Sequence, residues 1–338
     1  MKQTLPLLLI SALWACKPAP PQNAVSESPV PPYRVIFDTD ANNELDDQHA
    51  LAYLLLNGDS FAVEGVTVNA TFNGGEIQGH YDEADRIIRL CNAEGKVPLL
   101  KGANAGFAAI RDSVKNASFD GAEAVRFILE QANKPGKPLT LIAVGKLTNV
   151  ALAHLLDPSI AQKVRLVWLG SNYPEPGEYN QDNDTVAMNY LLNTGMPFEM
   201  VTVRYGKASG SDEVKVTPEE VRAKLPGLGP KAASPVMGRH GVAFDRFGDY
   251  SVNLFEHVEF YGNPPGRAMF DMVAVAVIKN PAWGQKKTIP APILMNNQWI
   301  ERPANPRTME VWENFDRDGI IGDFYQTLKA PVLALPSK

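Results

Sequence analysis

Between residues 38 and 47 the chain reads DTDANNELDD. Asp38, Asp40, Asp46 and Asp47 share these ten positions with Glu44. Carboxylates this close repel one another. A fold that gathers them needs a cation among them, or must keep some of them protonated. Donors that offer only oxygen suit calcium or magnesium rather than zinc. The plainer alternative is a helix cap followed by a solvated acidic loop. Acids in the first turn of a helix are favoured by its dipole, which accounts for one or two of these residues but not for all five.

The elements around the cluster say where it must sit. Apolar strand segments are expected at RVIF (34–37), VEGVTV (63–68), VPLL (97–100), LTLIAV (139–144), VRLVWLG (164–170) and FEMVTV (198–203). Helix-like segments separate them: DDQHALAYLLL, YDEADRIIRLCN, GAEAVRFILEQAN, LTNVALAHLL and DTVAMNYLLNTG. Short apolar strands alternating with helices predict an α/β fold with an open, mostly parallel, Rossmann-like sheet flanked by helices. Sites in such folds lie beyond the C-terminal strand ends. Asp38 and Asp40 end the first strand and are expected to point into that crevice. Asp46 and Asp47 open the next helix. Residues 205–265 are rich in Gly, Pro and charge and read as a helical or loop insertion over the site. MFDMVAVAVIKNP then reads as another helix, opened by Asp271.

DTDANNELDD followed by ALAYLLL resembles the signature of the nucleoside hydrolases, the family of inosine–uridine-preferring and purine-specific N-ribohydrolases. Further segments resemble that family in its own order: VEGVTVNATFNGG, LIAVGKLTNVALA, LGSNYPEPGEYNQDNDTVAMNYLL and FDMVAVAVI. MEVWENFDRDGIIGDFYQTL resembles its C-terminal strand and helix, so the likeness runs from about residue 34 to the end. Glu178, Tyr179, Asn180 and Asp184 have the family spacing.

The resemblance implies that Asp40, Asp47 and Asp271 bind Ca²⁺ by side chain, with the backbone carbonyl near Val144. It implies that Asp40 is the base that takes a proton from the attacking water. Asp46, Asn172, Glu178 and Asn180 would hold the ribose hydroxyls, and Asn42 would line the same pocket. The register leaves Asn69 or Asn73 as the residue from the second loop. The implied reaction is hydrolysis of the N-glycosidic bond of a purine ribonucleoside, or a related riboside, to free base and ribose. Its oxocarbenium-like transition state is one that carboxylates and amide oxygens stabilise.

Two features depart from the family pattern. Five residues, Ala41 to Leu45, separate Asp40 from the double aspartate, where the family has three. The longer loop brings in Glu44, as a further ligand, a substrate contact or an exposed acid. Phe270 stands where inosine–uridine-type enzymes carry His; it would stack on the base or form pocket wall. His240 is then a source of the leaving-group proton, against a structural role, whereas His49 reads as packing. Two other functions compete. One is a riboside-binding lipoprotein that keeps calcium without turnover. The other is an aspartyl-phosphate-type phosphohydrolase using DTD, for which Asp46 and Asp47 come too early.

The whole chain fits a small-molecule enzyme. It has 338 residues, 45% apolar, with a net charge of −6. No basic run is present, which argues against a nucleic-acid partner. MKQTLPLLLISALWAC has a lysine, a short apolar stretch and small residues before Cys16, which makes it a signal segment rather than a membrane span. LWAC resembles the lipoprotein box, with Cys16 as the lipid attachment; a plain secretory signal is the alternative. Residues 17–32 are proline-rich and read as a tether. Residues 33–338 then form a single domain. Lys17 favours the outer membrane, with the domain facing the periplasm of a bacterial envelope. A homo-oligomer is left open. Cys91 is the second cysteine. With Cys16 lipidated, no intrachain disulfide is expected, and Cys91 reads as buried structure.

Overall fold

The computed structural model describes Met1 and residues 33–337. The expected signal segment, Cys16 and tether fall outside the described residues. Pro31–Lys338 form one compact unit. No helix among the described residues is long and apolar enough to cross a membrane.

In chain order the elements around the site are β1 (Tyr33–Thr39), α1 (Asp46–Leu55), β2 (Phe61–Val68), α2 (Ile77–Leu90), β3 (Leu99–Lys101), α3 (Ala122–Asn133), β4 (Leu139–Ala143) and α4 (Thr148–Leu156). Then come β5 (Val164–Leu169), α5 (Tyr179–Asn183), α6 (Thr185–Leu192), β6 (Phe198–Val201), α7 (Phe247–Phe255), α8 (Phe270–Lys279), β7 (Gln285–Pro290), β8 (Thr308–Glu313) and α9 (Arg317–Lys329). The eight strands form one sheet in the order β7-β8-β6-β5-β4-β1-β2-β3. Every pairing is parallel except β7 with β8.

Alternate residues of β1 enter different cores. Val35 and Phe37 pack with α1, α2, α8 and α9, whereas Ile36 packs with α3, α4 and α6. Both faces of the sheet are therefore covered, which is why its strands read as nearly unbroken apolar runs. Helix α1 is buried along its whole length. It packs against α8 and lies inside the molecule rather than on its surface, as a helix without a polar face does.

Strand order reverses at β1. The chain leaves β1 for β2 on one side, and β4 pairs on the other. The crevice beyond β1 and β4 is the topological switch point where ligands of open α/β sheets bind. Asp38 fixes this point, and not in the way its sequence position implies. Its carboxylate is buried beneath the crevice instead of pointing into it. It accepts hydrogen bonds from Thr67 Oγ1 at 2.6 Å, Asn69 Nδ2 at 2.6 Å and Asn149 Nδ2 at 2.8 Å. One side chain thus ties β1 to β2, to the loop beyond it and to α4. Burial pushes the Asp38 carboxyl up to about 6, against the pull of its three donors.

The 205–265 stretch is a mixture of loop and short elements. It holds short strands at Lys215–Val216, Val236–Met237 and Ala243–Phe244, a helix at Pro218–Lys224, and α7. Helix α2 begins at Ile77, a turn earlier than its apolar pattern indicates.

Replacing Asp38 by Ala strands three buried donors. At about 1 kcal/mol or more for each, Asp38→Ala should cost on the order of 3 kcal/mol. Urea denaturation would read this as a lower midpoint. An unchanged midpoint would show that the tie is not structural.

Candidate active site

The loop from Asp40 to Leu45 carries the chain from β1 to α1. Asp40, Asp46 and Asp47 are all buried, and so is Asp271 on the first turn of α8. Oxygens of Asp46, Asp47 and Asp271 lie within 4.8 Å of one another. Two helices, α1 and α8, aim their N-termini at this point, and their dipoles favour anions there. The Thr39 hydroxyl donates to Asp47, and Thr71 Oγ1 donates to Asp40 at 2.6 Å.

Those aids do not remove the repulsion. Burial pushes the Asp40 carboxyl up to about 7, with Glu178 and Asp38 adding to the rise and Thr71 opposing it. Burial pushes Asp46 to about 8, with Glu44 adding and Arg267 opposing. Burial, then repulsion from neighbouring aspartates, raises Asp47 and Asp271 well above the ordinary carboxylate range. A buried, oxygen-only set that resists ionisation is a fitting cradle for a hard divalent cation.

A cavity of about 550 Å³ opens on the cluster. Asp40, Asp46, Asp47, Val144, Glu178, Asn180, Phe270 and Asp271 all line it. Glu178 caps α5 and accepts from Ser171 N at 2.7 Å and Gln181 N at 2.9 Å. Asn180 donates its amide to Val144 O at 2.8 Å and Leu169 O at 3.2 Å. That orientation turns its amide oxygen away from both carbonyls. Gly145 leaves the necessary room: a Cβ there would stand 2.8 Å from Asp40 Oδ1 and from Asn69 Oδ1.

Three expected contacts are placed elsewhere. Asn42 does not line the cavity; its amide donates to Gly74 O at 2.6 Å and braces the lengthened loop. Asn172 donates to Gly177 O and accepts from Tyr205 N at 3.1 Å, so it positions Tyr205 instead of reaching the cavity. Asn69 sits beneath the floor on Asp38, and its buried Oδ1 has no partner. Between the two residues left open, Asn73 is the one on the cavity wall. Asp184 holds the frame together, accepting from Phe107 N, Thr148 Oγ1 and Ala187 N. His49 is packed among Phe247, Phe255 and Phe324, with Nε2 2.5 Å from Ser251 Oγ. His240 is not in this cavity.

Sequence reasoning missed the far wall. Tyr205, Asp212, Lys215, Tyr261 and Arg267 come from the irregular stretch and its exit. Tyr205 packs edge-on to Phe270, with ring centroids 5.8 Å apart. Glu44 is neither buried with the cluster nor free; it pairs with Arg267 at the cavity rim.

Residues 35–321 match the family model of inosine-uridine preferring nucleoside hydrolases. The chain belongs to the nucleoside hydrolase family. It is an N-ribohydrolase. It is 25% identical over 269 residues to the non-specific ribonucleoside hydrolase RihC of Salmonella agona, covering 73% of this chain and 78% of that one. It is 24% identical over 169 residues to the pyrimidine-specific ribonucleoside hydrolase RihB of Shigella flexneri, a match spanning 48% of each. The fold is shared with a purine-preferring ribonucleoside hydrolase from Gardnerella vaginalis: TM-score 0.67, 19% identity, 87% of this chain and 98% of that one. A plant nucleoside hydrolase superposes with TM-score 0.68 at 17% identity, over 89% and 100%. Nucleoside hydrolases are metal-dependent, and this chain has a buried aspartate cluster, Asp46, Asp47 and Asp271, whose oxygens lie close enough to hold an ion.

A carboxyl with a raised folded pKa keeps a proton that the unfolded chain gives up near about pH 4. The stability this adds is full below that pH and is lost as pH rises through the folded values of about 7 and 8. In chelator, Tm should therefore fall between about pH 5 and about pH 8, and saturating calcium should cancel the fall. Differential scanning calorimetry checks this. A Tm in chelator that is flat across the window would contradict it.

Proposed function

We propose that this nucleoside hydrolase is calcium-dependent and cleaves the N-glycosidic bond of purine ribonucleosides, releasing base and ribose. The observation that carries the reading is one cavity lined by four buried aspartates together with Glu178, Asn180 and Phe270. Asp40, Asp47, Asp271 and the Val144 carbonyl would hold the ion. When bound, calcium supplies an anchor for vicinal hydroxyls, acidity for water and charge that offsets the carboxylates.

The chain's own groups do the rest. Asp40, steadied by Thr71, accepts a proton from the attacking water. As the bond to the base breaks, its electron pair leaves with the base and the ribose ring gains positive charge. Asp46 and Glu178 present negative charge to that ring, and Asn180 presents its amide oxygen. Phe270 with Tyr205 edge-on supplies an apolar wall on which a purine can stack. The relatives differ in base preference by their names, and the purine reading rests on the Phe270–Tyr205 wall alone. The signal segment and Cys16 support a lipid-anchored enzyme of the bacterial envelope.

Asp40→Asn keeps the side chain's volume and its bond to Thr71 but removes the base. Turnover of inosine by the calcium-loaded variant should fall by about 10²–10⁴-fold, with an unchanged circular dichroism spectrum. Wild-type-like turnover would remove Asp40 from the role of base.

A further inference from the structure

A second cavity of about 320 Å³ adjoins the first. The two share Asn43, Glu44 and Arg267. The partition between them is the Glu44–Arg267 ion pair, made of two long side chains with Glu44 nearly half exposed, at 46%. The second cavity is built from the two segments that set this chain apart. One is the lengthened acidic loop, and the other is the irregular stretch carrying Arg239, His240 and His257.

Two arginines and two glutamates line it, so its formal charge balances, but the pairing is uneven. Glu44 is matched by Arg267. Arg239 donates to a neutral acceptor, Asn42 O, at 3.1 Å, and stands in no ion pair among the described residues. The rings of His240 and His257 stack 3.7 Å apart. Both Nδ1 atoms donate to Asn253, one to its side-chain oxygen at 3.1 Å and one to its carbonyl at 2.7 Å. Each Nε2 is left without a hydrogen bond among the described residues. Glu259 is the remaining acid, exposed at the rim.

We infer that the second cavity is a subsite for an anionic substituent, phosphate or carboxylate, carried by the riboside whose ribose occupies the first. This rests on the hydrolase reading of the first cavity. Arg267 is the shared recognition group. An anion bridging Arg239 and Arg267 makes charge-assisted bonds to both guanidinium groups and competes with Glu44 for Arg267. The lengthened loop thus sets specificity, with Glu44 holding Arg267 in place until such a ligand arrives.

The test uses calcium-loaded full-length protein and two substrate pairs: inosine with inosine 5′-monophosphate, and uridine with its 6-carboxylate, orotidine. At least one anionic compound should exceed its neutral parent about tenfold in kcat/KM, and the pair that responds identifies phosphate or carboxylate as the group read. Arg239→Gln, at an exposed position, should bring that ratio close to one. Glu44→Gln should raise it by removing the competitor. Two results overturn the subsite: neither anion exceeds its parent, or the preference survives Arg239→Gln. If none of the four compounds is cleaved, the hydrolase reading fails by itself. Calorimetric affinities of the same compounds then decide the subsite by the same ratios.

Discussion

Burying several carboxylates in one place is the constraint on which the rest of the structure depends. Burial leaves Asp40, Asp46, Asp47 and Asp271 little contact with water, the usual stabiliser of negative charge. Hydrogen bonds from Thr39 and Thr71 and two helix dipoles offset only part of the loss. Such a cluster is unfavourable as an acidic patch and favourable as a cation cradle. The same imbalance makes it useful for chemistry that develops positive charge on a sugar ring.

The fold meets this constraint by separating support from function. Asp38, one residue inside β1, is saturated by donors and locks the switch point. Asp40, two residues later, is left to face the cavity. Val144 leaves β4 just beyond Ala143, the partner of Asp38 on the neighbouring strand, and Asn180 keys α5 onto its carbonyl. Each proposed ligand side chain therefore stands on or next to an element held by the central sheet, and the far wall is supplied by irregular chain.

The acidic cluster and the sheet were legible because their signals are local. Strands covered on both faces are apolar runs, and acids crowded within ten residues need a reason. Strand β7 was not legible: QKKTIP is an edge strand paired on one side and largely exposed, so nothing demands an apolar pattern. The asparagines divided for a related reason. An amide can serve a ligand or a loop carbonyl equally well, and loop geometry decides which. Asn180 faces the cavity, whereas Asn42 and Asn172 brace loops. Lys215, Tyr261 and Arg267 carry no motif and become site residues only because the chain returns over the crevice. Arg267, four residues before Asp271, was the one within reach of a sequence reading.

The central claim is that the buried aspartates exist to hold a divalent cation. Isothermal titration of calcium into chelator-stripped protein tests it most directly. The account predicts one ion bound per chain, and loss of that binding in Asp47→Asn. Absence of binding to the wild-type chain, or binding unchanged by Asp47→Asn, would contradict it.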